Sequence, residues 1–436
     1  MEVTVLEAQY PLTFHKHEAE ILGEHLKNRH NIVLIGMKRV GISNFLRFFL
    51  YHKDIASTYI GDGKKHVFIP VDLNDLVERE IFPFWTLTLK RIVDAVSIFS
   101  DDPKLKKEIE MLFLDSIQSQ DLFLTIDSVR KSLLMLVERQ FIPTIFFVQF
   151  DRMGTVSTQE FLANLQGLKE ATNFQLSYVF TSFRPLGMLA PYVFTKASLV
   201  VFVHDMYLPP VNKEDVKIIY ETYRDRYSLK LTQAVENALF ELVDGYVRYL
   251  HLALIILNEK KKQKITTKQE LSEMLLKDER IYLQSEELWE SLMVDEQDVL
   301  KKVVKHVTLS AGERALGKYL WETGMISEDG KGNASVFSPL FLTYLKQKEK
   351  KTLEAQGTEF TKKEQALFEM LKKNAEVICE REKIIEAVWP EVEELGVTDW
   401  AIDRLVARVR GKLRLQKSNF EIQTIKTRGY KLISVS

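Results

Sequence analysis

Two sets of residues are spaced for work on phosphates. The first is Gly36-Met-Lys-Arg-Val-Gly41-Ile-Ser43, in which two glycines let backbone N–H groups approach an anion, Lys38 and Arg39 lie between them, and the Ser43 hydroxyl follows. Asp151 follows the apolar run TIFFVQF, and Thr181, Ser182 and Arg184 close another, LSYVFTSFR, where the hydroxyls could equally cap a turn. The second set is cationic. From Thr398 to Arg414 the chain reads TDWAIDRLVARVRGKLR, with Ile402, Val406, Val409 and Leu413 stepping by four, three and four. At about 3.6 residues per turn these form one stripe. The other side carries Trp400, Arg404, Arg408 and Gly411, flanked by Lys412 and Arg414. A helix buried on one side and basic on the other fits a DNA major groove, and an ordinary surface helix with a solvated charged face has the same pattern.

Each set needs elements to hold it. The apolar run Ile32 to Ile35 reads as a strand and Asn44 to Tyr51 as a helix, so the glycine loop joins them as a phosphate loop requires. An amphipathic helix is expected around Glu18 to Lys27, with further strands at Val67 to Val71, Thr144 to Phe150, Leu176 to Thr181 and Leu199 to Val203. Helical stretches separate them, notably Phe82 to Phe99 and Leu122 to Glu138. That alternation predicts an α/β domain with a mostly parallel sheet. For the cationic helix, Thr398 is placed to cap the first turn, and Phe420 to Leu432, FEIQTIKTRGYKL, reads as a hairpin or wing.

Composition narrows the classes. The chain has 436 residues and a formal net charge of −1, so the basic excess after Gly396 is local. No apolar run approaches the roughly 18 to 20 residues of a membrane span, and the first residues lack a basic region followed by an apolar core. A cytoplasmic protein without membrane contact is expected. The single cysteine, Cys379, rules out an internal disulfide or a Cys-based metal site. His15 and His17 have no further ligands at metal spacing. The cluster Lys260 to Lys264 reads as a helix end and connection.

From Phe360 to Leu432 the sequence resembles the OmpR/PhoB-type winged-helix family of bacterial transcription regulators. The residues that carry the resemblance are Thr361 to Glu364, Arg381 and Glu382, Ala387-Val388-Trp389, Asp403, the run Arg408-x-Arg410-x-Lys412-Leu413, and Arg428-Gly429-Tyr430. The resemblance implies that Trp400, Ala401, Arg404 and Arg408 face double-stranded DNA from the major groove. It also implies that Lys426, Thr427 and Arg428 of the wing reach the adjacent backbone or minor groove. Lys412 extends the basic face. The loop Trp389 to Val397 is where such domains can meet RNA polymerase. Family members usually have Arg where this chain has Trp400, and Lys351 to Glu359 is too short for the full small sheet that precedes the first helix in the family.

The first three quarters of the chain resemble the STAND branch of AAA+-like P-loop NTPases. There the glycine loop ends in Lys-Thr/Ser, the lysine neutralises β- and γ-phosphates, and an acidic strand end orients metal and water. Here Ile42 stands at the lysine position, and Val148 and Gln149 at the acidic pair. A Gly-His-Pro nucleotide contact in the lid falls on Gly245-Tyr246-Val247, where only the glycine matches. The nucleotide-site positions carried over are therefore Gly36, Lys38, Arg39, Gly41, Ser43, Asp151, Thr181 and Arg184. They imply a pseudo-ATPase, with ATP or ADP binding without turnover left open.

The expected architecture is multidomain: a P-loop NTPase-like α/β domain over 1–205, a helical lid over 206–284, an interior winged helix over 285–348 and a DNA-binding winged helix over 349–436. The interior one opens at Asp295-Glu-Gln-Asp298, continues through Ala311 to Thr323 and closes on a hairpin. The expected function is sequence-specific transcription regulation, with the NTPase-like part as a sensor or an interaction platform for a protein partner or self-association. Two alternatives stand: a nucleotide-driven switch using Lys38 and Asp151, and an assembly protein whose winged helices bind proteins.

Overall fold

The computed structural model describes residues 5–195, 202–261, 263, 265–330, 332–354, 360–390, 397, 399–416, 418–425 and 428–434. The chain divides into two compact units, Met1–Thr222 with Gly245–Val247 and Lys318–Ile326, and Tyr223–Asp244 with Arg248–Gly317 and Ser327–Ser436.

The first unit is built on a five-stranded sheet of β1 (Ile32–Gly36), β2 (Lys65–Asp72), β3 (Phe141–Val148), β4 (Ser177–Ser182) and β5 (His204–Leu208), in the order β2-β3-β4-β1-β5. All four pairings are parallel. Every residue of β1 and of β4 is buried, as continuous apolar strands of a parallel sheet covered on both faces should be. The helices are α1 (Lys16–Lys27), α2 (Ile42–Tyr51), α3 (Ile81–Phe99), α4 (Pro103–Ser119), α5 (Leu122–Glu138), α6 (Gln159–Ala171), the short α7 (Leu186–Leu189) and α8 (Lys213–Tyr227), which ends in the second unit. Their ends are set locally. Asp102 caps α4 by accepting from Lys104 N–H at 2.9 Å, with Pro103 at the first helical position, and Thr158 caps α6 through Phe161 N–H at 3.1 Å.

One strand departs from the sequence reading. The apolar pattern puts it at Leu199 to Val203, whereas β5 is His204–Leu208; residues 196–201 lie outside the described residues. Among the described residues β5 lies at the edge of the sheet and pairs with β1, and its first two residues are exposed. An edge strand tolerates a polar start, so hydrophobicity is a poor guide to its register.

The second unit contains α9 (Gln233–Val243), α10 (Val247–Glu259, its first residue in the first unit), α11 (Lys268–Leu276), α12 (Glu279–Glu290), α13 (Val294–Val304) and α14 (Ala311–Leu316). α15 (Lys318–Glu322) belongs to the first unit. The hairpin β6 (Ile326–Glu328) and β7 (Ala334–Val336) leads to α16 (Pro339–Glu354). The single helix expected over Ala311 to Thr323 is two, because Gly317 ends α14 with its N–H on the Glu313 carbonyl at 2.9 Å and glycine propagates a helix poorly. The chain closes with α17 (Lys362–Lys373), α18 (Arg381–Val388), α19 (Asp399–Leu415) and the antiparallel pair β8 (Phe420–Ile425) and β9 (Gly429–Ser434). Among the described residues no helix is long and apolar enough to cross a membrane, and no group of three or more His, Cys, Asp or Glu side chains is placed to hold a metal ion.

Candidate nucleic-acid interface

The cationic helix α19 is built as its spacing predicts on the inward side. Ile402, Val406 and Val409 are fully buried and Leu413 nearly so, together with Leu405. They share a core with Leu367 and Leu371 of α17, Ile384, Val388 and Trp389 at α18, and Ile422 and Leu432 of the hairpin. α17 opens with a reciprocal cap: Thr361 N–H donates to Glu364 Oε2 at 2.8 Å, and Glu364 N–H donates to Thr361 Oγ1 at 3.4 Å.

The wing is locked by backbone. Cys379 and Tyr430 exchange backbone hydrogen bonds of 2.8 and 3.0 Å, and Gly429 has φ of 140° with Cys379 O only 2.1 Å from where a Cβ would stand. Only glycine fits that close approach. Arg381 pairs with Asp403 at 2.7 Å and donates to the Tyr430 hydroxyl at 3.2 Å, while Tyr430 itself donates to Asp403. Arg410 donates to Ile422 O and Thr424 Oγ1, both at 2.8 Å, tying α19 to β8. Thus Arg381, Asp403, Arg410 and Tyr430, which are among the residues that carry the family resemblance, hold helix and wing together.

The outward face differs from the expectation in two ways. Ala401, expected toward DNA, is 2% exposed and part of the core, because the buried arc of α19 is wider than the four-residue stripe and includes Ala401 and Leu405. Trp400 is half-buried against the same core. Arg404, Arg408 and Lys412 do lie on one outward stripe, and all three are engaged with glutamates. Arg404 pairs with Glu290, Arg408 with Glu286 at 3.0 Å and through Nε with Glu364 at 3.5 Å, and Lys412 with Glu364 at 2.6 Å. Glu286 and Glu290 belong to α12, which nothing in the local sequence of α19 indicates. Arg428 and Arg414 are exposed. Lys426, Thr427, Thr398, the segment 355–359 and residues 391–396 of the loop after Trp389 lie outside the described residues.

In the first unit, the C-terminal ends of β1, β3 and β4 bring the other set together. After Gly36 the loop turns through Met37 and Val40, both 1% exposed, and Gly41 (φ 125°) starts α2 by accepting from Asn44 and Phe45 N–H. Lys38 is half-buried and holds its ammonium 4.9 Å from the Phe183 ring centroid; Arg39 and Ser43 are exposed. Gln149 takes a left-handed conformation and donates its N–H to Thr181 Oγ1 at 2.8 Å, and Ser182 Oγ accepts from Arg184 N–H at 3.0 Å. Both hydroxyls are therefore used within the fold. Burial pushes the Asp151 carboxyl up from its usual range, against the opposing pull of Lys38 and nearby arginines. Arg184 is 5% exposed, stacked 3.9 Å over Tyr319, whose hydroxyl donates to Phe183 O at 2.9 Å.

Two residues missing from the sequence-derived set sit on the loop itself. Tyr246, fully buried, donates its hydroxyl to Lys38 O at 2.6 Å. Val247 Cγ2 lies 2.8 Å from where a Cβ on Gly41 would stand. They reach the loop from about two hundred positions away, at the place where the sequence comparison puts the lid contact. Their identity was legible; their contact with Lys38 and Gly41 was not.

Residues 355–432 match the family described as "Transcriptional regulatory protein, C terminal". The C-terminal domain is an OmpR/PhoB-type winged helix. With that winged helix the chain combines an α/β unit built on a five-stranded parallel sheet, the mixed architecture expected from its sequence. Among solved structures, the Walker-type ATPase of Pyrococcus abyssi is 17% identical with a TM-score of 0.46, covering 78% of this chain and 99% of its own. The ORC2 protein of Aeropyrum pernix, in ADPNP-ADP complexes, is 12% identical with a TM-score of 0.45, covering 78% and 95%. The ORC1 protein of the same organism, in complex with DNA, is 14% identical with a TM-score of 0.40, covering 77% and 92%. No curated protein sequence matches significantly.

Proposed function

We propose that this protein is a sequence-specific DNA-binding transcription regulator whose NTPase-like module serves as a sensor or interaction platform rather than a hydrolase. The observation that carries the reading is α19: a helix with one face in a winged-helix core and Arg404, Arg408 and Lys412 in a row on the other, followed by a hairpin whose turn carries Arg428. Helix side chains would read the major groove, and the hairpin basic residues would hold the backbone. The pseudo-ATPase part of the reading is supported by Ile42 in place of the phosphate lysine, by Val148 and Gln149 in place of the acidic pair, and by Tyr246 and Val247 packed on the loop.

The test is selection of bound fragments from a genomic DNA pool by the full-length chain, at low and moderate salt, with and without ATP, beside a turnover assay. A recovered motif whose affinity falls with salt and ignores ATP is the expected result. Arg404→Ala with Arg408→Ala should cost about 1 to 3 kcal/mol per lost base contact. Recovery only with ATP, or turnover abolished by Lys38→Ala, would favour a nucleotide-driven switch; an absence of sequence preference would favour an assembly role.

A further inference from the structure

The acidic face of α12 is set against the basic face of α19. Glu279, Leu283, Glu286 and Glu290 recur at helical spacing and form one stripe. Each is committed to the winged helix: Glu279 pairs with Lys363 of α17 at 3.0 Å, Leu283 is 5% exposed inside the winged-helix core cluster, Glu286 pairs with Arg408, and Glu290 pairs with Arg404. Going from Arg404 to Arg408 along α19, the partners step back from Glu290 to Glu286 along α12. The two helices therefore run antiparallel, with one ion pair per turn.

The contact is more than a chance surface pairing. Glu286 is 4% exposed, Arg404 Nε and Arg408 Nε are shielded from solvent, and an apolar side chain, Leu283, is inserted beside the pairs. Ion pairs shielded from water are screened by salt less than solvated ones, and removing one partner leaves the other charge uncompensated. Arg404 and Arg408 are held by the α12 carboxylates, so a duplex and α12 compete for the same guanidinium groups, and the carboxylates repel the polyanion.

We propose that α12 is an intramolecular occupant of the DNA-binding face: the chain in this conformation is clamped, and binding requires α12 to leave α19. The inference rests on the reading of α19 as the DNA-contacting helix. It gives the rest of the chain a specific means of control, because whatever moves α12 exposes Arg404 and Arg408.

The experiment uses the full-length chain and its Glu286→Gln/Glu290→Gln variant. Their affinity for a labelled random-sequence duplex of about 30 base pairs, roughly three helical turns, is compared at fixed low ionic strength by anisotropy. Amide hydrogen exchange of α19 is followed without DNA. The expected result is an affinity gain of about tenfold or more, removed when Arg404→Ala and Arg408→Ala are added, with faster exchange in α19. Glu290→Gln alone, at a more exposed position, should show a smaller change in the same direction and serves if the double variant does not fold. Unchanged exchange in α19 would overturn the clamp. Faster exchange with unchanged DNA affinity would overturn its control of binding while leaving the DNA-binding reading in place. Faster exchange with no DNA bound by any variant would overturn the proposal through that reading instead, so the two failures are told apart.

Discussion

Arg408 donates to Glu286 Oε2 at 3.0 Å and holds its Nε 3.5 Å from Glu364 Oε1, so one guanidinium is shared between α12 and the first helix of its own domain. Glu364 has three tasks at once: it completes the cap of α17, accepts from Lys412 and faces Arg408.

Glu364→Gln is therefore expected to destabilise the winged helix by about 2 kcal/mol, the range for charged hydrogen bonds, read as a fall in the urea midpoint. Burial pushes the Glu364 carboxyl up, but hydrogen bonds from Lys412 and Thr361 outweigh it and hold the group below its ordinary value of 4.5. A folded value below the unfolded one means that the contribution is present above that ordinary value and lost as pH falls through the folded one. Wild type should lose stability on acidification below about pH 4.5 more steeply than Glu364→Gln. Parallel pH profiles would count against this account.

Gly429→Ala places a methyl 2.1 Å from Cys379 O at a φ of 140°. Local strain and loss of the Cys379–Tyr430 bridge should cost about 3 kcal/mol or more, seen by thermal unfolding, with DNA affinity falling in parallel. A near-neutral effect would mean that the wing is not held as described.

Arg428, exposed in the turn of the hairpin, is a backbone contact in the proposed interface. Arg428→Ala should weaken binding about equally across sequences and lower the slope of log affinity against log salt by about one. A change in sequence preference instead would move Arg428 from positioning to base reading.

Ile42→Lys places a lysine where the proposed phosphate loop lacks one. Val247 and Tyr246 still sit against Gly41 and Lys38. Calorimetric titration with ATP and magnesium should show no binding by this single variant; a micromolar dissociation constant, about −8 kcal/mol, would show that the lysine alone was missing.

Much of the site was legible where its causes are local. The loop after β1 follows from an apolar run, glycines and a helix, because strand, turn and helix are set by neighbouring residues. Gly429 and Tyr430 could be matched by spacing, and the structure supplies the reason in the backbone bridge to Cys379. Ala401 was misplaced because a small residue beside the apolar stripe is compatible with either face until the width of the core is known. β5 shifted because an edge strand carries a weak pattern.

By itself the sequence determined that α19 has an apolar and a basic face, since that depends only on about 3.6 residues per turn and on side-chain type. It also determined that Ile42, and not a lysine, follows Gly41 in the loop after β1, which is a matter of residue identity. Only the tertiary structure decided what lies against each. Glu286 meets Arg408 across 122 positions, and Tyr246 meets Lys38 across 208. Such contacts are fixed by the path of the chain and by the packing of whole helices, so no local pattern in α19 or in the loop encodes whether its polar face meets water, DNA or another part of the same molecule.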